Sequence, residues 1–270
     1  MEDNNKYWDM LHIEGNIINR EMAIAFLNKE HCGTHELDKS SKIYFMNPNR
    51  EKIESIINKA DIKKWSWNIV YKENWNKKWK PFFKEIIIED RVIVIPSWKD
   101  KKIDNEKILI KIDPGMAFGT GHHETTYMMI KSLLKFFNKG NSVMDIGTGS
   151  GILSILANKL GCNKIRAIDN DRDIKSNFNL NQKLNNCSID LEIKDCLDMK
   201  NFNYDIILAN INKAVLIKLI PNINFKNSIL IISGVLINDL NHIYNILNNK
   251  NFKILDTIKQ KEWTCIIAQT

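Results

Sequence analysis

The stretch from Val143 to Leu153, Val-Met-Asp-Ile-Gly-Thr-Gly-Ser-Gly-Ile-Leu, carries the sharpest chemical pattern in the chain. An apolar strand runs into a glycine-packed turn and then into an apolar helix. Gly147, Gly149 and Gly151 let the backbone turn tightly and approach a ligand where a Cβ would intrude. The turn opens a helix predicted over 152–160, whose free amides and positive dipole end would face the bound molecule. The spacing is G-x-G-x-G, whereas a dinucleotide fingerprint would place its third glycine at Ile152. The difference predicts S-adenosylmethionine (SAM) at Gly147 and Gly149 rather than a nicotinamide.

Ligands of an open α/β sheet bind beyond the carboxyl ends of its strands, so strand ends are where further contacts belong. Asp169 ends the second strand of the pattern and would accept from the ribose hydroxyls of an adenosyl group. Asp195 follows the third strand, where it either accepts from an adenine amino group or forms a turn. Asn210 ends the fourth strand in Leu-Ala-Asn-Ile-Asn, offering an amide to an incoming amine and to the cofactor. Asp145 either shapes the glycine turn through its amides or meets the cofactor through water. Upstream, Asp113 to Thr126 reads Asp-Pro-Gly-Met-Ala-Phe-Gly-Thr-Gly-His-His-Glu-Thr-Thr, a polar, glycine-rich cap in which Phe118 would cover the ligand and the threonines would reach its polar atoms. His122, His123 and Glu124 do not predict a metal, because adjacent histidines point apart and no further ligands follow at suitable spacing. His31-Cys32-Gly33-Thr34-His35 is read as a loop for the same want of ligands.

The elements that must position these residues fall into two blocks. From residue 122, helices and strands alternate: helix 123–137, strand 142–146, helix 152–160, strand 164–168, helix 172–184 and strand 189–194. Strand 204–209, helix 213–220, strand 228–232 and helix 238–247 follow. Such alternation predicts right-handed βαβ units and a parallel sheet. The last two strands, 252–258 and 263–268, are joined by a short turn and so must be antiparallel. Before this block, 85–95 is two β runs about Glu89-Asp90, and Ile108 to Ile112 is another strand. The first seventy residues predict a small α+β unit, ferredoxin-like but with only three clear strands (7–13, 42–46, 65–71). Its helices are 17–29, with Ile18, Met22, Ala25 and Phe26 on one stripe, and 50–59. Trp75 and Trp79, four apart, suit a connecting helix ended by Pro81. The expected organisation is a substrate-recognition domain at 1–72, a linker helix at 73–84 and a Rossmann-like, seven-stranded domain at 85–270.

A chain of 270 residues suffices for two modest domains, and 44% hydrophobic with 26% charged residues is ordinary for a soluble protein. A polar N-terminus and the absence of any long apolar run predict neither signal peptide nor membrane span. Five cysteines without a C-x-x-C predict free thiols in a reducing cytoplasm. The net charge of +7 is spread among Asn-, Lys- and Ile-rich runs, which suits compositional bias better than a nucleic-acid face.

The segments DPGMAFGTGHHETT, DIGTGSGILSILANKLG, AIDND and DIILANI, in this order and spacing, resemble the PrmA family over roughly residues 73 to 270. The Trp75 to Phe83 connector and Lys261-Glu262-Trp263 resemble that family's linker and C-terminal hairpin. The resemblance implies a class I SAM-dependent methyltransferase acting on ribosomal protein L11, free or on the large subunit. It implies cofactor contacts at Thr126, Gly147, Asp169 and Asn210. Expected in consequence are methylation of lysine side chains or an N-terminal amine, with Asn210 as the catalytic residue. A cytoplasmic monomer needing no direct nucleic acid is also expected. An RNA methyltransferase and a non-catalytic nucleotide-binding module are the alternatives.

Overall fold

In the computed structural model, which describes residues 7–27, 31–71, 83–104, 106–115, 119–224 and 228–270, the first pattern becomes a βαββαβ unit. Its elements are β1 (Tyr7–Glu14), α1 (Ile17–Phe26), β2 (Gly33–Glu36), β3 (Ser40–Phe45), α2 (Arg50–Lys59) and β4 (Lys64–Tyr71). The sheet order is β2-β3-β1-β4, with every neighbouring pair antiparallel, which is ferredoxin-like topology. The strand that the sequence did not predict is β2, at the place read as a loop. It is a four-residue edge strand with no apolar alternation, and its structure comes from pairing such as Thr34 opposite Ile43.

The face of α1 also differs from expectation. Ile18, Met22 and Phe26 are 72%, 37% and 58% exposed, while Ala23 and Leu27 enter the core with Leu11, Ile13, Ile43, Phe45, Ile53 and Ile57. The side chain of Ala25 lies outside those described. The reason is Arg20, which is 2% exposed and turns the helix so that its guanidinium points inward. Its Nη1 donates to Leu37 O, Ser40 O and Ser41 Oγ at 3.1, 2.7 and 2.8 Å, Nη2 to Asp38 O at 3.1 Å, and Nε to Gly15 O at 3.2 Å. Periodicity sorts residues by polarity and so misplaces a helix whose buried face carries a satisfied cation.

The chain divides into two compact units, Met1–Lys80 and Pro81–Thr270. The linker helix expected at 73–84 lies almost wholly outside the described residues. In the second unit, β5 (Ile86–Ile88), β6 (Val92–Pro96) and β7 (Ile108–Ile112) form a small sheet in that order. Glu89 and Asp90, both at positive φ (50° and 51°), make the tight turn between its first two strands.

The main sheet is built from β8 (Ser142–Ile146), β9 (Lys164–Asp169), β10 (Asp190–Ile193), β11 (Ile206–Asn210), β12 (Ile229–Leu236), β13 (Lys253–Gln260) and β14 (Trp263–Gln269). Among the described residues it has seven strands in the order β10-β9-β8-β11-β12-β14-β13. The first five are parallel, and β14 runs antiparallel between β12 and β13, as the short final turn requires. One face is covered by α3 (Glu124–Phe136), α4 (Ile152–Lys159) and α5 (Ile174–Leu184), through Met128, Leu133, Leu156 and Phe178. The other is covered by α6 (Lys213–Leu219) and α7 (Leu240–Asn249), through Leu216, Ile243 and Leu247. The chain is thus an α/β protein with the strand directions the sequence predicts. No helix among the described residues is long and apolar enough to cross a membrane.

A row of asparagines on α5 and at its C-cap, Asn185, holds the outer edge of β7. Asn185 Oδ1 accepts from Lys111 N at 2.9 Å and Asn185 Nδ2 donates to Lys111 O at 2.6 Å. Asn181 Oδ1 accepts from Asp113 N at 2.7 Å, and Asn177 Nδ2 donates to Asp113 O at 3.1 Å. Residues 111 and 113 face away from β6, so the side-chain amides supply the bonds a next strand would have made.

Replacing Arg20 by Met should destabilise the first unit by about 3 kcal/mol, because four part-buried hydrogen bonds to carbonyls and a buried one to Ser41 Oγ lose their charged donor. The expected readout is faster amide exchange across β1 and β3; unchanged exchange would mean that the guanidinium contributes no net stability.

Candidate active site

The glycine turn is held from beneath by Asp145. This carboxylate is 1% exposed and accepts from Thr148 Oγ1 and Ser154 Oγ, each at 2.7 Å on Oδ2. It reaches hydroxyls rather than the turn's amides, because those amides are already committed. Gly147 N and Thr148 N donate to Ile168 O at 2.8 and 3.1 Å, Gly149 N donates to Asp169 Oδ2 at 2.9 Å, and Gly151 N donates to Thr148 O at 2.9 Å. The turn thus spends its own amides at these four positions on β9 and on itself. The N-cap of α4 is Gly151, at φ 82° with no side-chain cap, and Asp145 supplies the acceptor that end lacks.

The carboxyl edge of the sheet opens into a cavity of about 530 Å³ lined by His123, Thr125, Gly147, Gly149, Asp169, Asn170, Asp171, Ile174, Asn210, Ile211, Asn212, Gly234 and Trp263. The ends of β8, β9, β11 and β12, the start of β14 and the start of α3 all contribute. A second cavity of about 140 Å³ shares Gly147, Asp169, Asn170, Ile211 and Asn212 with it and adds Ile146, Ile168, Lys194, Asp195, Cys196, Leu197 and Val215. Of the residues singled out in the sequence, Gly147, Gly149, Asp169 and Asn210 thus come together on one wall. Asp195 sits in the smaller cavity, where its Oδ1 accepts from Leu197 N at 2.9 Å. Beside it, burial foremost and then the Asp195 charge push the Cys196 thiol up to about 11, so it is an uncharged wall of that cavity.

Thr126 is placed one layer back. It is fully buried, and its Oγ1 accepts from Asn210 Nδ2 at 3.4 Å, while Thr125 lines the cavity. Phe118 lies outside the described residues. The loop that contains it is fastened at its described ends by Asn177 and Asn181 on Asp113 and by Ser150 Oγ, which donates to Gly119 O.

Several lining residues had no functional assignment from sequence. His123 is the N-cap of α3: its Nδ1 accepts from Thr125 N at 3.3 Å and lies 2.8 Å from Thr125 Oγ1. Its ring stands 5.2 Å from that of Trp263 at 64°, and the next residue, Glu124, pairs with Lys261. The start of α3 and the final hairpin therefore meet at the cavity mouth. Asn212 caps α6 by accepting from Val215 N at 3.0 Å. The histidines and Trp263 were visible as residue types, but only tertiary contact distinguishes His123 from His122. Among the described residues no group of three His, Cys, Asp or Glu could hold a metal.

Burial, partly opposed by hydrogen bonds from Thr148 and Ser154, raises Asp145 above the ordinary aspartate range. The folded chain then keeps the proton to higher pH than the unfolded one, so Asp145's contribution to stability is full at low pH and falls as pH rises through the raised value. Asp145→Asn has no such decline. The melting temperature of the variant minus that of wild type should become more positive as pH rises from about 4 to about 7. A difference independent of pH would show that the fold does not favour the protonated carboxyl.

A model of the ribosomal protein L11 methyltransferase (PrmA) family matches residues 7–270. The chain is 38% identical over 223 residues to a ribosomal protein L11 methyltransferase of Dictyoglomus turgidum, covering 82% of this chain and 74% of that one. It is 32% identical over 272 residues to one of Clostridium botulinum (strain Eklund 17B / Type B), covering 97% and 84%. The crystal structure of a ribosomal protein L11 methylase from Lactobacillus delbrueckii subsp. bulgaricus superposes with a TM-score of 0.65 at 29% identity, covering 69% of this chain and 98% of that one.

Proposed function

The chain belongs to the ribosomal protein L11 methyltransferase family, and from that premise we propose that it transfers methyl groups from SAM to amino groups of ribosomal protein L11. The observation that carries this reading is the convergence of Gly147, Gly149, Asp169 and Asn210 on one cavity at the carboxyl edge of the sheet.

The donors present suit an adenosyl sulfonium. The smaller cavity offers apolar walls at Ile168, Leu197 and Val215 with the Asp195 carboxylate, matching a purine with an exocyclic amine. Asp169 stands where the two cavities meet and would hold the ribose. Its oxygens accept from Gly149 N and Asp171 N at 2.9 and 3.0 Å, and each carboxylate oxygen keeps acceptor capacity for a hydroxyl. The larger cavity takes the methionyl part and the incoming amine. When bound, SAM supplies an electrophilic methyl carbon, so the protein's share is position and electrostatics.

Asn210 is the residue assigned to hold the amine, with Thr126 fixing its amide from behind. A lysine amine has a reference pKa near 10.4 and an α-amino group one near 7.7 to 8.0, so a lysine must first lose a proton, which water can accept. Lysine side chains, the N-terminal amine, or both are the acceptors in this reading. Residues 1–72 act as the substrate-recognition domain and 73–84 as the linker to the transferase domain at 85–270. Phe118 covers the cofactor. The enzyme works as a cytoplasmic monomer that needs no direct nucleic acid.

Asp169→Ala should weaken SAM binding by roughly 1–3 kcal/mol in calorimetry, the scale of hydrogen bonds to a charged group; unchanged affinity would remove the ribose assignment. Incubation with radioactive SAM and ribosomes lacking this modification should place label in L11. Label in RNA instead would keep the cofactor and overturn the substrate.

A further inference from the structure

The segment from Asn210 to Asn212 is gripped by two glycines on neighbouring strands. At Gly147 (φ 69°) an added Cβ would lie 2.2 Å from Ile211 Cγ2. At Gly234 (φ 90°) it would lie 2.1 Å from Ile211 O, 2.8 Å from Ile211 C and 3.4 Å from Ile211 N. One glycine receives the side chain of Ile211 and the other receives its backbone.

Gly234 sits where the register of β12 against β14 shifts between Ser233 and Val235. That bulge is braced on both sides: Ser233 Oγ donates to Thr264 O at 2.7 Å, and Thr264 Oγ1 donates to Val235 O at 3.0 Å. Ser233, Val235 and Thr264 are all fully buried. A methyl at Gly234 therefore meets a rigid strand behind it, and the peptide of Ile211 must give way. The carbonyl that must move belongs to the Ile211–Asn212 peptide, Asn210 is joined to the other end of Ile211 through its N, and the Asn210 side chain is held to Thr126 by a hydrogen bond at the long limit of 3.4 Å.

We propose that Gly147 and Gly234 form a paired seat for Ile211, and that Gly234 is a positioning residue that sets how Asn210 meets the acceptor amine. Gly147 is glycine, on this account, to admit Ile211 as much as to admit a ligand. The role assigned to Asn210 rests on the methyl-transfer reading above; the seat itself rests on the two clashes and the braced bulge.

The test is a set of alanine variants in the full chain, read by melting temperature, SAM calorimetry and transfer of labelled methyl to L11. Gly234→Ala should lower kcat by roughly tenfold or more while SAM affinity changes by less than about threefold, because misplacement acts on the transfer step. Ile211→Ala removes Cγ2, so it should restore much of the melting temperature and SAM affinity lost in Gly147→Ala, with the left-handed backbone strain remaining. The same Ile211→Ala should not rescue Gly234→Ala, whose clash is with a backbone oxygen.

Wild-type kcat in Gly234→Ala would overturn the positioning role, and so would a loss of SAM affinity equal to its loss of kcat. Failure of Ile211→Ala to rescue Gly147→Ala, or equal rescue of both glycine variants, would overturn the seat. The melting-temperature cycle is independent of activity, so it still reports on the seat if wild type labels no L11 and the methyl-transfer reading itself fails.

Discussion

A single buried carboxylate ties together the parts on which the site is built. Asp145 lies one residue before the end of β8, and its Oδ2 accepts from the hydroxyl of the turn, Thr148, and that of the following helix, Ser154. Strand, turn and helix are thus pinned at one oxygen. The turn then uses its own amides to grip Ile168 and Asp169 on the adjacent strand. The cavity wall follows from this sequence of attachments, because Asp169 is held by the turn that Asp145 holds. Enclosing a carboxylate so completely works against its charge, and the hydroxyl donors are what make the arrangement tolerable.

The second half of the chain was legible because its inner parallel strands β8, β11 and β12 are largely buried and each helix is bounded by a cap residue or a glycine. Strands β7 and β8 have the predicted boundaries, and the other strands of the main sheet shift by a few residues at their ends. Strand ends are also where side chains reach the carboxyl edge, so Asp169 and Asn210 could be picked out by position alone. What escaped was information held in contacts rather than in type. Thr125 and Thr126 are neighbours of one kind, and only packing decides that the first lines the cavity while the second stands behind Asn210. In the first half, β2 draws its structure from β3, and Arg20 inverts the apparent inner face of α1.

Gly234 shows the same limit from another side. In the sequence it lies two residues beyond the strand predicted at 228–232, and nothing local says what occupies the space its missing Cβ leaves. The occupant is the Ile211 peptide, which comes from the neighbouring strand's loop. The other half of that grip, Gly147, was legible as a ligand-facing glycine, yet its nearest side-chain neighbour is again Ile211.

The asparagine row on α5 has an electrical consequence. Asn177, Asn181 and Asn185 stand four residues apart, but in a chain so rich in asparagine that spacing carries no signal of its own. Their ties to the strand that leads into the glycine-rich loop are neutral amides, while Lys101 to Glu85 and, from that same strand, Lys111 to Asp100 are ionic. Dissolved salt weakens the ionic ties by screening and acid neutralises their carboxylates, but neither acts on an amide. The three asparagine ties are therefore insulated from changes in ionic strength and acidity that loosen the charged surface around them.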